Sequence, residues 1–261
     1  MAGDNRLKII VVICIIAIIA TFSINPIAQD TAYHNFADQR SMMNIPNFLN
    51  VLSNLPFIII GLNGIRLVVS GRASGGLAEL QSIYLAFFAG VFLTGFGSAY
   101  YHYHPANETL LWDRLPMTIA FMALFSAIAG EYISSRMALI LFVPLLLSGI
   151  ISVIYWYVTE LHGNGDLRPY ALVQFLPALL IPLILWLFNS KFNGDKYIWG
   201  ILGAYAVSKL MEYFDASIYS QLGILSGHSL KHLTAAFGAL IFYWALRERR
   251  ILPTRKATPL A

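Results

Sequence analysis

The chain has 261 residues, of which 58% are hydrophobic and only 11% are charged. Soluble domains carry about a quarter charged residues, so this composition excludes an ordinary soluble protein and predicts a polytopic membrane protein. The single cysteine, Cys14, excludes an internal disulfide and a cysteine-based metal site. The net charge of +4 comes without an arginine-rich tract, so we predict no nucleic-acid partner.

Eight apolar stretches are long enough to cross a bilayer as helices, which takes about 20 residues. The first follows Arg6 and Lys8, as the apolar part of a signal peptide would. It runs into Asn25 and Pro26 without a small-residue cleavage site, so we expect a retained helix. In chain order the predicted spans are residues 8–24, 48–69, 81–101, 112–133, 137–157, 170–188, 197–214 and 229–246.

Basic residues are distributed unevenly between the two sides of these eight spans. With the N-terminus inside, twelve lie in inner segments and three in outer segments, which is a strong positive-inside bias. We therefore predict that both termini are cytoplasmic. The inner set is Arg6, Lys8, Arg66, Arg72, Arg136, Lys191, Lys196, Arg247, Arg249, Arg250, Arg255 and Lys256; the outer set is Arg40, Arg114 and Arg168.

Polar side chains gather at the outer ends of three predicted spans. His102 ends the third span, Asp113 begins the fourth, and His228 and His232 begin the eighth. Residues distant in sequence are thus placed at one depth on one side of the membrane. Because titratable groups are costly inside a bilayer, we interpret this cluster as a functional site.

The histidine spacing favours a metal site. His228 and His232 are four residues apart, which places both imidazoles on one face of a helix. A third imidazole from another helix would complete a three-ligand zinc site with an open position, as in catalytic zinc centres. His102 is the best third ligand, and His104, just before Pro105, is the alternative. Imidazoles also bind other first-row metals, but Zn²⁺ is the predicted ion.

Two further residues suit hydrolytic chemistry at such an ion. Ser98 lies one turn from His102, where its hydroxyl could stabilise an oxyanion. Asp113 could orient an activated water or accept its proton. Each also has a structural interpretation: Ser98 as a small packing residue beside two glycines, and Asp113 as a helix N-cap.

Three segments resemble the signatures of the alkaline ceramidase family. They are GSAYYH at 97–102, WDRLPM at 112–117 and GHSLKH at 227–232, and IPNFLNVLSN at 45–54 resembles the start of the family's first core helix. The resemblance implies an all-α membrane protein, a seven-transmembrane-helix bundle with an extra N-terminal helix. The expected units are an N-terminal helix at 1–25, a hydrolase domain at 26–246 and a basic cytoplasmic tail at 247–261.

The resemblance also implies a reaction, the hydrolysis of the N-acyl amide of a ceramide-like lipid to a fatty acid and a sphingoid-type amine. The lipid would enter laterally between helices, and the predicted topology places the site near the outer face. The matching zinc ligands are His102, His228 and His232, and the matching Ser and Asp are Ser98 and Asp113. Near the same face an aromatic head-group belt is expected from Tyr155, Trp156, Tyr157 and Tyr170.

One segment departs from the family pattern. Ceramidases bind calcium through an acidic, Trp-containing N-terminal segment, whereas residues 34–47 here read HNFADQRSMMNIPN. Asp38 and Asn47 remain as oxygen ligands, but Arg40 adds an opposing charge. Calcium prefers several hard oxygen ligands, so this segment argues against calcium regulation and leaves the exact lipid open.

Two other classes compete with the hydrolase. The ceramidases share a superfamily with the progestin/adiponectin receptors, so the alternative is a receptor or sensor with a structural zinc. A transporter would instead spread ionisable groups through the membrane depth. Here most cluster at one end, and the exceptions, Lys209 and Glu212, are three residues apart and could pair.

Overall fold

The computed structural model describes residues 5–252. The regular secondary structure of these residues is all helical, with two isolated β-bridges and no strand, which confirms the all-α prediction. Short 3₁₀ turns cover Thr31–His34 and Ala78–Leu80. The α-helices of the described residues are α1 (Asn5–Phe22), α2 (Phe48–Leu52), α3 (Leu55–Val69), α4 (Gln81–Tyr103), α5 (Asn107–Tyr132), α6 (Ser135–Leu161), α7 (Arg168–Leu187), α8 (Lys196–Tyr213), α9 (Asp215–Leu222) and α10 (Gly227–Glu248).

Six segments within residues 5–252 are long and apolar enough to cross a membrane. They are α1, the α2–α3 pair, α4 with its preceding turn, α5, α6 and α7. The helices α8 and α10 have 18 and 22 residues but contain more polar side chains, including Lys209 and Glu212 in α8. The described helices thus support a multi-pass membrane protein, and the count of seven core helices plus one stays a prediction.

The predicted start of the fourth span at residue 112 is wrong. Helix α5 begins at Asn107, directly after the loop that contains Pro105. The Thr109 hydroxyl accepts a hydrogen bond from the backbone N–H of Ala106 at 3.1 Å, which starts the helix early. Asp113 therefore lies almost two turns inside α5 and is not its N-cap.

The predicted span at 48–69 is one segment with a break in its helix. The break lies between α2 and α3, where the Asn54 side-chain amide donates to the carbonyl oxygen of Asn50 at 2.8 Å. Side-chain bonds to the backbone compete with helical hydrogen bonds, and Pro56 lies in the first turn of α3. The sequence interpretation also did not include α9, the short helix that precedes α10.

Helix α5 packs against α4, α6 and α7, and α10 packs against α3 and α8. Helices α4 and α5 approach closely because glycines line their contact. A Cβ atom at Gly97 would collide with the carbonyl oxygen of Trp112, and one at Gly90 with the backbone of Ala120. The backbones of α7 and α8, both described in full, are not closely packed, and side chains meet between them, with Nζ of Lys209 5.8 Å from the centroid of the Phe175 ring.

Helix α1 lies at the edge of this bundle. It contacts α7, and of its 18 residues only Ile10 is buried. The Arg6 guanidinium donates to the carbonyl oxygen of Leu187 at 3.2 Å, which places the start of α1 beside the end of α7. An apolar helix with so little buried surface is suited to contact with lipid.

A buried ion pair joins the ends of α5 and α10. The Arg249 guanidinium donates two hydrogen bonds to the Glu131 carboxylate, at 2.8 and 2.7 Å, and both side chains are at most 1% exposed. The Tyr84 hydroxyl of α4 donates to the same carboxylate at 2.7 Å. This pair lies at the opposite ends of α4, α5 and α10 from His102, Asp113 and His228.

We expect Glu131→Leu to lower the free energy of unfolding by about 3–5 kcal/mol, because it leaves the Arg249 guanidinium buried without a counter-charge. The double variant Glu131→Leu/Arg249→Met should be less destabilised than this single variant, and denaturant unfolding in detergent measures both. Glu79→Leu, the same replacement at an exposed carboxylate, is the control. Equal stability of Glu131→Leu and the wild type would contradict a stabilising role for the pair.

Candidate metal centre

Three histidines meet at one end of the bundle. His102 lies in the last turn of α4, and His228 and His232 lie in the first two turns of α10. The Nε2 atom of His102 is 3.2 Å from that of His232 and 3.3 Å from that of His228. All three side chains are buried, and their ligand atoms lie within 4.8 Å of one another. The alternative ligand His104 lies outside this cluster, at the C-cap of α4.

The three imidazoles fit a metal ion. Nitrogen ligands around a tetrahedral ion with bonds of about 2.05 Å lie about 3.3 Å apart, close to the spacings in this cluster. Buried imidazoles whose Nε2 atoms face one another bring lone pairs together, and a cation between them relieves this repulsion. The cluster could therefore hold a metal ion, and its all-nitrogen donor set suits zinc and other first-row metals.

Neighbouring groups hold the side chain of His232 and the backbone of His228 in place. The Ser53 hydroxyl lies 2.8 Å from Nδ1 of His232 and donates to the carbonyl oxygen of Asn50 at 3.0 Å. A proton on Nδ1 then leaves the Nε2 lone pair free for a metal, as in other His sites with a hydrogen-bonded outer shell. The backbone N–H of His228 donates to Asp215 at 2.7 Å, which fixes the start of α10.

The segment before α2 closes this end of the bundle. Phe36 is 4% exposed, and its ring centroid lies 4.6 Å from those of both His102 and His228. The backbone N–H of Ala37 donates to Asp215 at 3.0 Å, so one carboxylate holds both this segment and α10. An apolar ring thus shields two of the imidazoles from solvent.

An ion pair anchors the same segment. The Arg40 guanidinium donates two hydrogen bonds of 2.8 Å to the buried Asp38 carboxylate and one of 2.6 Å to the carbonyl oxygen of Ile224. Hydrogen bonding to Arg40 holds the pKa of Asp38 below its usual range. The Asn47 side chain donates to the carbonyl oxygen of His102 at 2.9 Å. Both residues expected as calcium ligands therefore contact other groups of the protein.

Ser98 and Asp113 lie beside the histidines and face each other across the α4–α5 contact. Both are buried, and the Ser98 hydroxyl interacts with the Asp113 carboxylate. The absence of a side chain at Gly97 permits this approach. Together with His232 they line one cavity, so the five site residues predicted from the sequence are brought together at one place.

This cavity has a volume of about 350 Å³ and extends from the polar residues into the apolar interior. Residues of α7 and α8 form part of its lining, and it reaches the rim at Phe175, which is 50% exposed. A chain-like apolar ligand could enter sideways from a membrane at this point. The deeper lining residues include Val91, Met117, Phe121, Leu124, Ile181 and Leu202.

The predicted pairing of Lys209 with Glu212 is confirmed at 2.7 Å, within a larger cluster. Lys231 of α10 donates to the same carboxylate at 2.5 Å, and the Tyr33 hydroxyl donates to it at 3.3 Å. All four residues line the cavity. Lys209 and Glu212, the two ionisable residues outside the cluster predicted from the sequence, thus belong to the polar end of the cavity.

The predicted aromatic belt is wrong for two of its four members. Trp156 and Tyr170 are 0% and 6% exposed, and so they cannot anchor the protein at a lipid interface. Their rings instead pack on the Arg114 guanidinium, with centroids 4.2 and 4.8 Å away. Tyr155, which is 44% exposed, remains available for such a belt.

Sequence reasoning did not identify Phe36, Ser53 or Asp215 as parts of the site. The sequence does contain an indication that Ser53 has a polar partner, because it lies with Asn50 and Asn54 inside an otherwise apolar run. Buried polar side chains need partners, and such a group in a predicted span indicates a polar contact elsewhere in the bundle. Phe36 and Asp215 lie in segments with no comparable pattern.

Comparison with known proteins identifies the family. A comparison with curated proteins finds no match for this chain. The Ceramidase family model matches residues 29–257, which is most of the chain and includes the histidine cluster, Ser98 and Asp113. Helix α1 lies outside the matched region. The chain therefore belongs to the ceramidase family.

Proposed function

We propose that this protein is a zinc-dependent intramembrane amidohydrolase that cleaves the N-acyl amide of a ceramide-like lipid. The products are a free fatty acid and a sphingoid-type amine. One observation carries the proposal: in a chain of the ceramidase family, a cluster of three buried imidazoles adjoins, through His232, the polar end of a cavity with an apolar part. The receptor alternative does not need this combination of a metal cluster and a lipid-sized cavity.

In the proposed reaction the oxygen of a water molecule bonds to the amide carbonyl carbon and the C–N bond breaks. His102, His228 and His232 would hold zinc, which supplies the Lewis acidity that activates water near neutral pH. The Asp113 carboxylate accepts a proton from the attacking water and returns it to the leaving amine nitrogen. The Ser98 hydroxyl donates a hydrogen bond to the developing oxyanion.

The cavity supports the proposed substrate class. Its apolar part would hold the acyl chain, and its polar end would place the amide beside Asp113 and the histidines. Entry between α7 and α8 lets the lipid reach the site without leaving the membrane. Phe36 packs over two of the imidazoles and would keep bulk water from that side.

We also propose the domain organisation and the orientation. Residues 1–25 form an added N-terminal helix, 26–246 the hydrolase domain and 247–261 a basic cytoplasmic tail; residues 1–4 and 253–261, with Arg255 and Lys256, lie outside the described part. The basic bias toward the helix ends opposite the histidines supports cytoplasmic termini and a zinc site near the outer, periplasmic or luminal face.

Purified in detergent, the full chain should contain one zinc per molecule and release fatty acid from at least one N-acyl lipid in a panel that includes ceramides. Elemental analysis and mass spectrometry measure the two quantities, and a chelator should abolish release. Asp113→Asn should keep the metal and lose at least about a hundredfold in turnover, the scale of general-base catalysis.

One outcome would contradict the hydrolase, and another would contradict only the role of Asp113. One zinc per chain with no release from any lipid would favour the receptor alternative. Full turnover by Asp113→Asn would exclude the carboxylate from proton transfer.

Alanine at His102, His228 or His232 should each lower bound zinc well below one per chain, because two imidazoles are left where three are needed. Equilibrium dialysis followed by elemental analysis measures the loss. His104→Ala and His162→Ala are matched controls, since both histidines lie outside the cluster. Wild-type zinc content in any of the first three variants would contradict the ligand assignment.

A cysteine placed at the C-terminus of a Cys14→Ala chain should resist an impermeant maleimide in intact cells, because we expect the tail to be cytoplasmic. A cysteine at the exposed residue Asn164, in the loop between α6 and α7, should react. Gel-shift labelling before and after lysis measures both positions. The reverse pattern would invert the proposed orientation.

A further inference from the structure

A buried arginine at the polar end of the cavity has unused hydrogen-bonding capacity. Arg114 is 6% exposed and lines the cavity. Its Nη2 atom donates to the Gln29 side-chain oxygen at 2.6 Å, whereas its Nη1 atom has no hydrogen-bond partner. Buried polar groups nearly always have a partner, so this nitrogen indicates a group that the protein chain does not supply.

The charge of Arg114 is also only partly balanced, because Asp113 interacts with it electrostatically but does not form an ion pair with it. Among the described residues no carboxylate forms an ion pair with it. Its guanidinium packs against the rings of Tyr33, Trp156 and Tyr170, which hold it in place without neutralising it. A buried charge is costly unless it is paired, so a counter-charge from a ligand would be favourable here.

Neighbouring groups strengthen the preference for an anion. Lys209 and Lys231 also line this end of the cavity, and they share the single carboxylate of Glu212. With Arg114 and Asp113 included, the lining carries three cationic and two anionic side chains. The excess positive charge lies beside the proposed reacting groups.

We propose that Arg114 binds an anionic oxygen on the amine half of the substrate, so that the preferred lipid is an N-acyl lipid with a negatively charged head group. This inference rests on the proposed hydrolase function and narrows its substrate class. The apolar depth of the cavity takes the acyl chain, which leaves the amine half at the Arg114 end. Phosphate and carboxylate share the required chemistry, since each presents an oxygen that a guanidinium binds strongly.

The test compares three N-acyl lipids with the same acyl chain: a neutral ceramide, its 1-phosphate and an N-acyl amino acid with a free carboxylate. We expect the wild type to have at least tenfold higher kcat/KM for one or both anionic lipids. Arg114→Gln should lower that value about tenfold to hundredfold, the range for one charge-assisted hydrogen bond, and lower the value for the neutral lipid by a clearly smaller factor. Comparison of the two anionic lipids identifies which group is bound.

Arg72→Gln is the matched control, because Arg72 is an exposed arginine away from the cavity. Arg114→Lys keeps the charge but loses the planar fork, so it should retain an intermediate preference. Zinc content verifies that each variant is folded. If neither Arg114 variant folds, the preference of the wild type for anionic over neutral lipids decides whether the proposal holds. Higher wild-type kcat/KM for neutral ceramide, or an equal loss on all lipids in Arg114→Gln, would overturn the proposal.

A binding measurement separates this proposal from the hydrolase function. Dodecyl phosphate and dodecanol are titrated into the zinc-loaded protein by calorimetry. One result would support the anion site and contradict the hydrolase. In that result no lipid is hydrolysed, dodecyl phosphate binds at least tenfold more tightly than dodecanol, and Arg114→Gln removes this difference. Equal binding of the two amphiphiles would overturn the anion site whatever the turnover.

Discussion

The structure depends on the pairing of polar groups that are buried inside an apolar bundle. At one end of α4, α5 and α10 three imidazoles meet beside Ser98 and Asp113. At the other end the same helices meet at the Glu131–Arg249 ion pair, which Tyr84 joins. Buried polar groups destabilise unless each finds its partner, so the two clusters together specify how these three helices align along their length.

The cavity follows from the same arrangement. Helix α10 packs on α3 and α8, α5 packs on α4, α6 and α7, and the contact between α3 and α4 joins the two groups. The cavity remains between them, with α7 and α8 contributing to its lining. The polar end of that space combines a histidine cluster that could hold a metal ion with an excess of cationic side chains, and the rest of its lining is mostly apolar. Such a division suits an amphiphile that keeps its tail in the membrane while its polar linkage is processed.

The sequence was sufficient for the class of protein, the family and the grouping of the histidines. Helical spacing places His228 and His232 on one face, and the alternation of spans across the membrane brings His102 to the same end. The sequence did not predict the start of α5, the break before α3 or the packing of Trp156 and Tyr170 on Arg114. The first two features depend on local hydrogen bonds between side chains and backbone, and the third depends on partners distant in sequence. Hydropathy identifies neither kind of contact.

Phe36 lies between solvent and two of the histidines that could hold a metal ion. Its ring lies against His102 and His228, and the residues directly after it are held by Asp215, which accepts a hydrogen bond from Ala37, and by the Asp38–Arg40 pair. An ion that approaches from this end of the bundle must displace the ring and break those contacts. If the cluster holds a metal ion, its exchange by this route would require local unfolding of the segment that contains Phe36. The exchange rate would then depend on the stability of that segment rather than on the affinity of the imidazoles.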